Sequence, residues 1–174
     1  MREPKLTIEL VPKGKDEPAL HPRTGLAFYH LVVKNSGKST AYDCDLYISF
    51  KEKDGRKLFA LKGKWDRGPE PLGPILERGL SQLWPSLIPL TELVNVRPGI
   101  PETFCLVIKD NEEQCYAFNA YSYFYNYKNP EWQLGRGEFV AEIDLKSGNA
   151  KAFSKFLIKN KGTRVQDITI LKID

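Results

Sequence analysis

The sequence predicts an all-β fold, an antiparallel two-sheet sandwich, and three observations carry that prediction. Residues 42–50 alternate apolar and polar side chains with a period of two, so every second side chain faces a core. About eight or nine short runs of this kind are separated by clusters of Gly, Pro, Asn, Asp and Ser. No stretch sustains the 3.6-residue apolar period of a packed helix. With 174 residues, 41% hydrophobic and 28% charged, one domain spanning residues 1–174 can bury about 70% of the surface it exposes unfolded. No disulfide or metal staple is then required.

Taken in order, residues 5–11 read as the first strand, with Leu6, Ile8 and Leu10 on one side. Residues 26–33, LAFYHLVV, are the second, rich in the β-branched and aromatic side chains that suit a pleated surface. The strand at 42–50 places Tyr42, Cys44, Leu46, Ile48 and Phe50 on one face and Asp43, Asp45, Tyr47 and Ser49 on the other. Between these two strands KNSGKST supplies turn residues for a tight reversal, so they are expected to pair as a hairpin. Residues 58–61 follow a Lys53-Asp54-Gly55 turn, and further strands are expected over 103–109, 114–118, 138–145, 152–159 and 168–173. A closed barrel is the alternative architecture.

Residues 63–101 break the pattern, holding seven of the 12 prolines. Proline lacks the amide hydrogen that a helix interior or central strand needs, so this segment is expected to be a long Pro-rich insertion or loop. Residues 75–83 are its one candidate for a short helix, and Trp65 and Trp84 give it apolar mass to pack against the sandwich. Loops of this length are often functional.

The net charge of +4 names no partner by itself. Its distribution is uneven: residues 145–174 carry seven basic side chains against Asp167 and Asp174. The longest uncharged run, residues 114–127, is 14 residues and rich in Tyr, short of the roughly 20 apolar residues a membrane span needs. The N-terminal residues lack the apolar core of an export signal. The cysteines, Cys44, Cys105 and Cys115, are odd in number and form no CxxC pair, so a reducing, cytoplasmic location is expected.

Residues 31–48, LVVKNSGKSTAYDCDLYI, show a strand ending in Val-x-Asn-x-Gly, a short polar turn containing Ala, and an alternating strand. On Val33, Asn35, Gly37, Ala41 and Leu46 the chain resembles immunoglobulin-like sandwich domains of the CARDB type, over 18 of its 174 residues. The resemblance implies an immunoglobulin-like sandwich serving as a binding scaffold and brings no catalytic residues with it. The Pro-rich insertion is a departure from such modules.

The densest chemical feature is residues 116–132, which hold eight of the 20 aromatic side chains. Tyr121, Tyr123, Tyr125 and Tyr127 alternate, so an extended strand would line them on one face. With Trp132, and with Trp65 and Trp84 of the insertion, they are the candidate residues for binding a protein partner, because rigid amphipathic rings anchor interfaces. The same rings could stack on a sugar, the carbohydrate alternative, or serve as cross-strand core pairs. A second candidate is the strand carrying Lys151, Lys155 and Lys159, extended by Lys161 and Arg164, which could neutralise the phosphates of a nucleic acid. Ordinary solvated lysines that protect a sheet edge account for the same pattern.

Catalysis finds little support. His21 sits in a loop, and His30 stands on a strand face with Phe28 and Val32 without a triad at recognisable spacing. Cys44 falls on an apolar strand face, Asp43 and Asp45 lack further oxygen ligands, and Gly135-Arg136-Gly137 is too short to cradle a phosphate. The expectation is a non-catalytic interaction module, with no cofactor and no metal, that binds a protein partner.

Overall fold

Alternation and turn chemistry translate into strands in the computed structural model, which describes residues 3–12, 18–21, 24–67, 93–125 and 127–174, with only the backbone of Phe124 and Tyr125. Among the described residues twelve strands follow in chain order: β1 (Leu6–Leu10), β2 (Ala19–Leu20), β3 (Ala27–Asn35), β4 (Ala41–Glu52), β5 (Lys57–Lys62), β6 (Val94–Val96), β7 (Glu102–Lys109), β8 (Cys115–Ala117), β9 (Gln133–Leu134), β10 (Gly137–Lys146), β11 (Lys151–Asn160) and β12 (Ile168–Lys172). They form two six-stranded antiparallel sheets. The first runs β1-β3-β7-β8-β9 with β2 added beside β3; the second runs β12-β11-β10-β4-β5 with β6 beside β4. A core drawn from both inner faces fills the space between them, including Ile8, Leu31, Val33, Leu46, Ile48, Phe50, Phe104, Ile143, Phe156 and Ile158. The architecture is the expected all-β two-sheet sandwich. At one seam the sheets are tied by Lys172, whose Nζ donates to the Ile8 carbonyl at 2.9 Å and so occupies an acceptor on the open edge of β1.

Two local expectations are corrected. Strands β3 and β4 do not form a hairpin, because β3 pairs with β1 and β7 while β4 pairs with β10 and β5. The turn between them carries the chain from one sheet to the other. Asn35, 4% exposed, organises this crossing: its Oδ1 accepts from Lys5 N at 3.1 Å and Gly37 N at 3.0 Å, and its Nδ2 donates to Ser39 O at 2.8 Å and Val96 O at 2.9 Å. Gly37 fits because a Cβ there would lie 2.5 Å from Glu3 O and 2.7 Å from Pro4 Cα. The second correction is Tyr42, expected inward and found exposed. Asp43 adopts a left-handed φ of 54° and the β4–β6 register shifts between Ala41 and Cys44, so both of those residues face the core and the alternation resumes one step out of phase.

Trp84 and the short helix expected over residues 75–83 lie outside the described residues. The two ends of the Pro-rich segment are strand-like. Trp65 bridges to Phe104, and Val94–Val96 pairs with β4. Among the described residues no helix is long and apolar enough to cross a membrane.

Candidate functional site on the outer face of the first sheet

The two sheets differ on their outer faces, and the difference begins in β7. Its sequence, ETFCLVIK, is apolar almost without interruption, and every residue from Phe104 to Lys109 is buried. A strand covered on both sides reads this way. Cys105, Ile108, Tyr116 and Phe118 form a second apolar cluster outside the sheet, with Phe28, Tyr123 and Tyr127 packed on it.

The cover over this cluster is the tyrosine-rich segment, which is not the extended ladder that the Tyr spacing suggested. Residues Ala120–Tyr125 form a 3-10 helix and Pro130–Trp132 a second. Local side chains win over alternation here. Asn119 Oδ1 accepts from Tyr121 N at 2.8 Å and Ser122 Oγ accepts from Asn119 N at 3.1 Å, closing a turn that a strand would leave open. Asn129 Oδ1 caps the second helix through Glu131 N at 3.0 Å. Tyr127 then takes a φ of 68°, a conformation costing a non-glycine residue roughly 1–2 kcal/mol. Its ring contacts offset that cost, with centroids 5.5 Å from Phe28, 5.2 Å from Tyr123 and 6.0 Å from His21.

The predicted site residues therefore separate. Tyr123 and Tyr127 join the outer layer, while Tyr121 pairs with Trp132, 6.3 Å between centroids, and Trp132 packs against the inner core. The Tyr125 side chain and Trp84 are not described. Trp65 is a correction: it is 1% exposed, lies edge-on to Phe104, and donates from Nε1 to Cys44 O at 3.1 Å, so it is a core residue and no surface anchor.

The basic strand is also not what its lysine spacing suggests. β11 lies inside the second sheet, flanked by β10 and β12. On the outer face each glutamate of β10 stands between two lysines: Glu142 is 2.6 Å from Lys51 and 3.3 Å from Lys155, and Glu138 is 2.5 Å from Lys53 and 3.0 Å from Lys159. These lysines hold both carboxyl groups below the usual carboxylate range. Arg164 is engaged by Asp167 at 3.0 Å, Lys161 is exposed, and Lys151 is exposed beside Lys146 in register.

Next to the aromatic layer is a hollow of about 300 Å³ lined by Phe28, His30, Lys64, Asp66, Cys105, Phe118 and Tyr123. His30 Nε2 lies 3.5 Å from Asp66 Oδ2. The Lys64 side chain is buried and donates to the Trp65 carbonyl at 3.1 Å. Sequence spacing could not reveal this group, since its members come from β3, the stretch after β5, β7 and the cover. The end of the cover is pinned by Lys128, 2.6 Å from Asp110 and 2.9 Å from Glu112. Those hydrogen bonds raise the Lys128 pKa and lower that of Asp110, while burial raises that of the Tyr116 phenol.

A wider cleft of about 620 Å³ at one end of the sandwich, lined in part by Asp54, Arg136, Glu138 and Phe139, is open and edged by ion pairs such as Lys53–Glu138. Cys44, Cys105 and Cys115 are buried and not disulfide-bonded. Burial pushes the Cys44 thiol up and the Cys115 thiol to about 12. Among the described residues no three His, Cys, Asp or Glu side chains converge as metal ligands. No family model matches the chain, and no curated protein matches its sequence.

Proposed function

We propose that this chain is a non-catalytic protein-binding module of immunoglobulin-like type, which captures an extended segment of a partner on the outer face of its first sheet and seats one aromatic side chain in the hollow. The observation that carries the reading is a second apolar layer with half-buried Tyr123 and Tyr127 rings beside a hollow of about 300 Å³. That volume sits at the bottom of the range of small-molecule pockets, so it suits one side chain better than a larger ligand. Ring walls with the polar His30–Asp66 pair among them favour Tyr or Trp, which bring an apolar body and a polar tip. The immunoglobulin-like part of the proposal is supported by the Val33, Asn35, Gly37 and Ala41 run, whose residues build the sheet-to-sheet crossing. Nucleic-acid binding through Lys151, Lys155 and Lys159 is the weaker reading, since two of the three already face glutamates.

The test is selection of peptides from a random displayed library, followed by mapping of amide shifts in the protein. Aromatic-bearing peptides that perturb His30 and Tyr123 are expected, with Tyr123→Ala weakening them at least about tenfold, as an anchor pocket requires. Peptides that map elsewhere, or that tolerate Tyr123→Ala, would overturn the assignment. Oligonucleotide binding that weakens steeply with salt would move the function to the lysine strand.

A further inference from the structure

The second sheet ends in a strand with one side unpaired. β5, KLFALK, pairs with β4 along one edge, and among the described residues no strand pairs with the other. At the opposite end of the two sheets β1 and β12 are bonded to each other through Lys172 and the Ile8 carbonyl, and β9 is only two residues long. Which groups of β5 are open follows from its ladder. Gly63 N donates to Leu46 O at 2.8 Å, and hydrogen-bonded pairs alternate along antiparallel strands, so Leu61 and Phe59 turn their N–H and C=O groups to β4. Ala60 and Lys62 turn theirs outward, and such unpaired groups are a template for another strand.

The side chains narrow what that strand can be. On the outer face Lys62 stands opposite Tyr47, Ala60 opposite Ser49 and Lys57 opposite Lys51. On the inner face Leu61 is buried and Phe59 is half-buried against the core. Residues 51–62 carry five basic side chains against Glu52 and Asp54, and Lys57 is exposed. A second copy paired antiparallel about Ala60 would set Lys57 of one chain beside Lys62 of the other. Like charges that meet across strands repel and opposite ones attract, so the lysines that deter a copy favour an acidic strand.

We propose that the open edge of β5 binds an extended acidic segment of a partner protein by strand addition, as a surface separate from the hollow of the first sheet. The N–H and C=O groups of Ala60 and Lys62 supply the backbone hydrogen bonds. Side chains of the added strand alternate between the two faces of the sheet. Those opposite Lys62 and Ala60 lie on the outer face and are acidic, reaching Lys62 and Lys57. Those opposite Leu61 and Phe59 point inward and are apolar, extending the cover of the half-buried Phe59 ring. Ala60, small and exposed, leaves room for the central acid. Lys62 already meets Asp45 at 3.0 Å, which holds its ammonium on the outer face where the incoming carboxylate lies.

The experiment titrates the whole chain with a capped peptide of alternating Glu and Val, about seven residues long so that it spans β5, and follows amide shifts and hydrogen exchange. Binding is expected to shift the Ala60 and Lys62 amides, to slow their exchange, and to weaken at least about threefold from about 50 mM to about 500 mM salt. Ala60→Pro removes an outward N–H that no ladder bond uses, and should weaken the peptide at least about tenfold. If Ala60→Pro does not fold, Lys57→Glu at its exposed site decides, by losing affinity for the Glu–Val peptide and gaining it for a Lys–Val peptide of the same pattern. No binding, equal binding of the Glu–Val and Lys–Val peptides by the unaltered chain, or shifts away from β5 would overturn the proposal. So would protection of the Ala60 amide that rises with protein concentration alone, since a second copy would then hold the edge. Failure of the hollow as an aromatic pocket would appear at His30 and Tyr123 in the peptide selection and leave the β5 result untouched.

Discussion

The two outer faces of the sandwich are made of the same kind of strand and end in opposite states. On the second sheet, β4 and β10 alternate buried and solvated residues, and the solvated ones meet in rows such as Lys51–Glu142–Lys155. On the first sheet, β7 has no solvated face, because Phe118, Tyr123 and Tyr127 lie over it. One face is held by screened charges in water and the other by rings removed from it. The energetic consequences differ by several-fold, since an exposed ion pair contributes about 0–1 kcal/mol and a buried aromatic ring about 3–5 kcal/mol.

A matched pair of substitutions breaks this comparison most sharply. Phe118 is 4% exposed, with ring centroids 5.8 Å from Phe28 and 5.6 Å from Tyr123, whereas Phe153, on the outer face of β11, is 52% exposed. Phe118→Ala should cost about 3–5 kcal/mol in urea unfolding, and Phe153→Ala within about 0.5 kcal/mol. Equal costs would mean that the cover does not bury the first sheet in solution.

The crossing that joins the sheets comes next in size. Asn35→Ala removes four hydrogen bonds from a buried site and leaves Val96 O without its donor. A loss of about 2–4 kcal/mol is expected, less than the sum of its bonds because the partners nearer the surface regain water. Asn35→Asp should be at least as damaging, since a carboxylate would then face the carbonyls of Ser39 and Val96. Unfolding midpoints of the two variants check this, and an Asp variant as stable as the unaltered chain would refute the assigned amide orientation.

These cases also show which features could be read from residues alone. The strand expected over 138–145 is found as Gly137–Lys146, because alternation in a strand with one wet face records its own geometry. Turn chemistry recorded that the chain reverses after Asn35, and nothing in KNSGKST says whether the next strand joins the same sheet. The Tyr121 to Tyr127 alternation misled because Asn119 and Ser122 hydrogen-bond locally and wind the backbone into a 3-10 helix. Trp65 looked like a surface anchor by its place beside the prolines, but a bridge to Phe104 draws it inside. The hollow was the least legible feature, since Cys105 reaches it only through an extra residue in the pairing, and a bulge leaves no period in the sequence.

The smallest effect concerns the charged face itself. Lys51, first, and Lys155 hold the Glu142 carboxyl below its usual value of 4.5. A folded-state pKa that is lowered contributes stability present above the unfolded value and lost as pH falls through the folded one. Glu142→Gln should therefore destabilise by about 0.5–1 kcal/mol at neutral pH, less at high salt. Its unfolding curve should converge on that of the unaltered chain as the pH drops below 4.5 and through the folded-state value. Phe118→Ala should show no such convergence, because its loss involves no proton. If the Glu142→Gln difference persists unchanged into acid, the residue acts through packing and not through its two lysines.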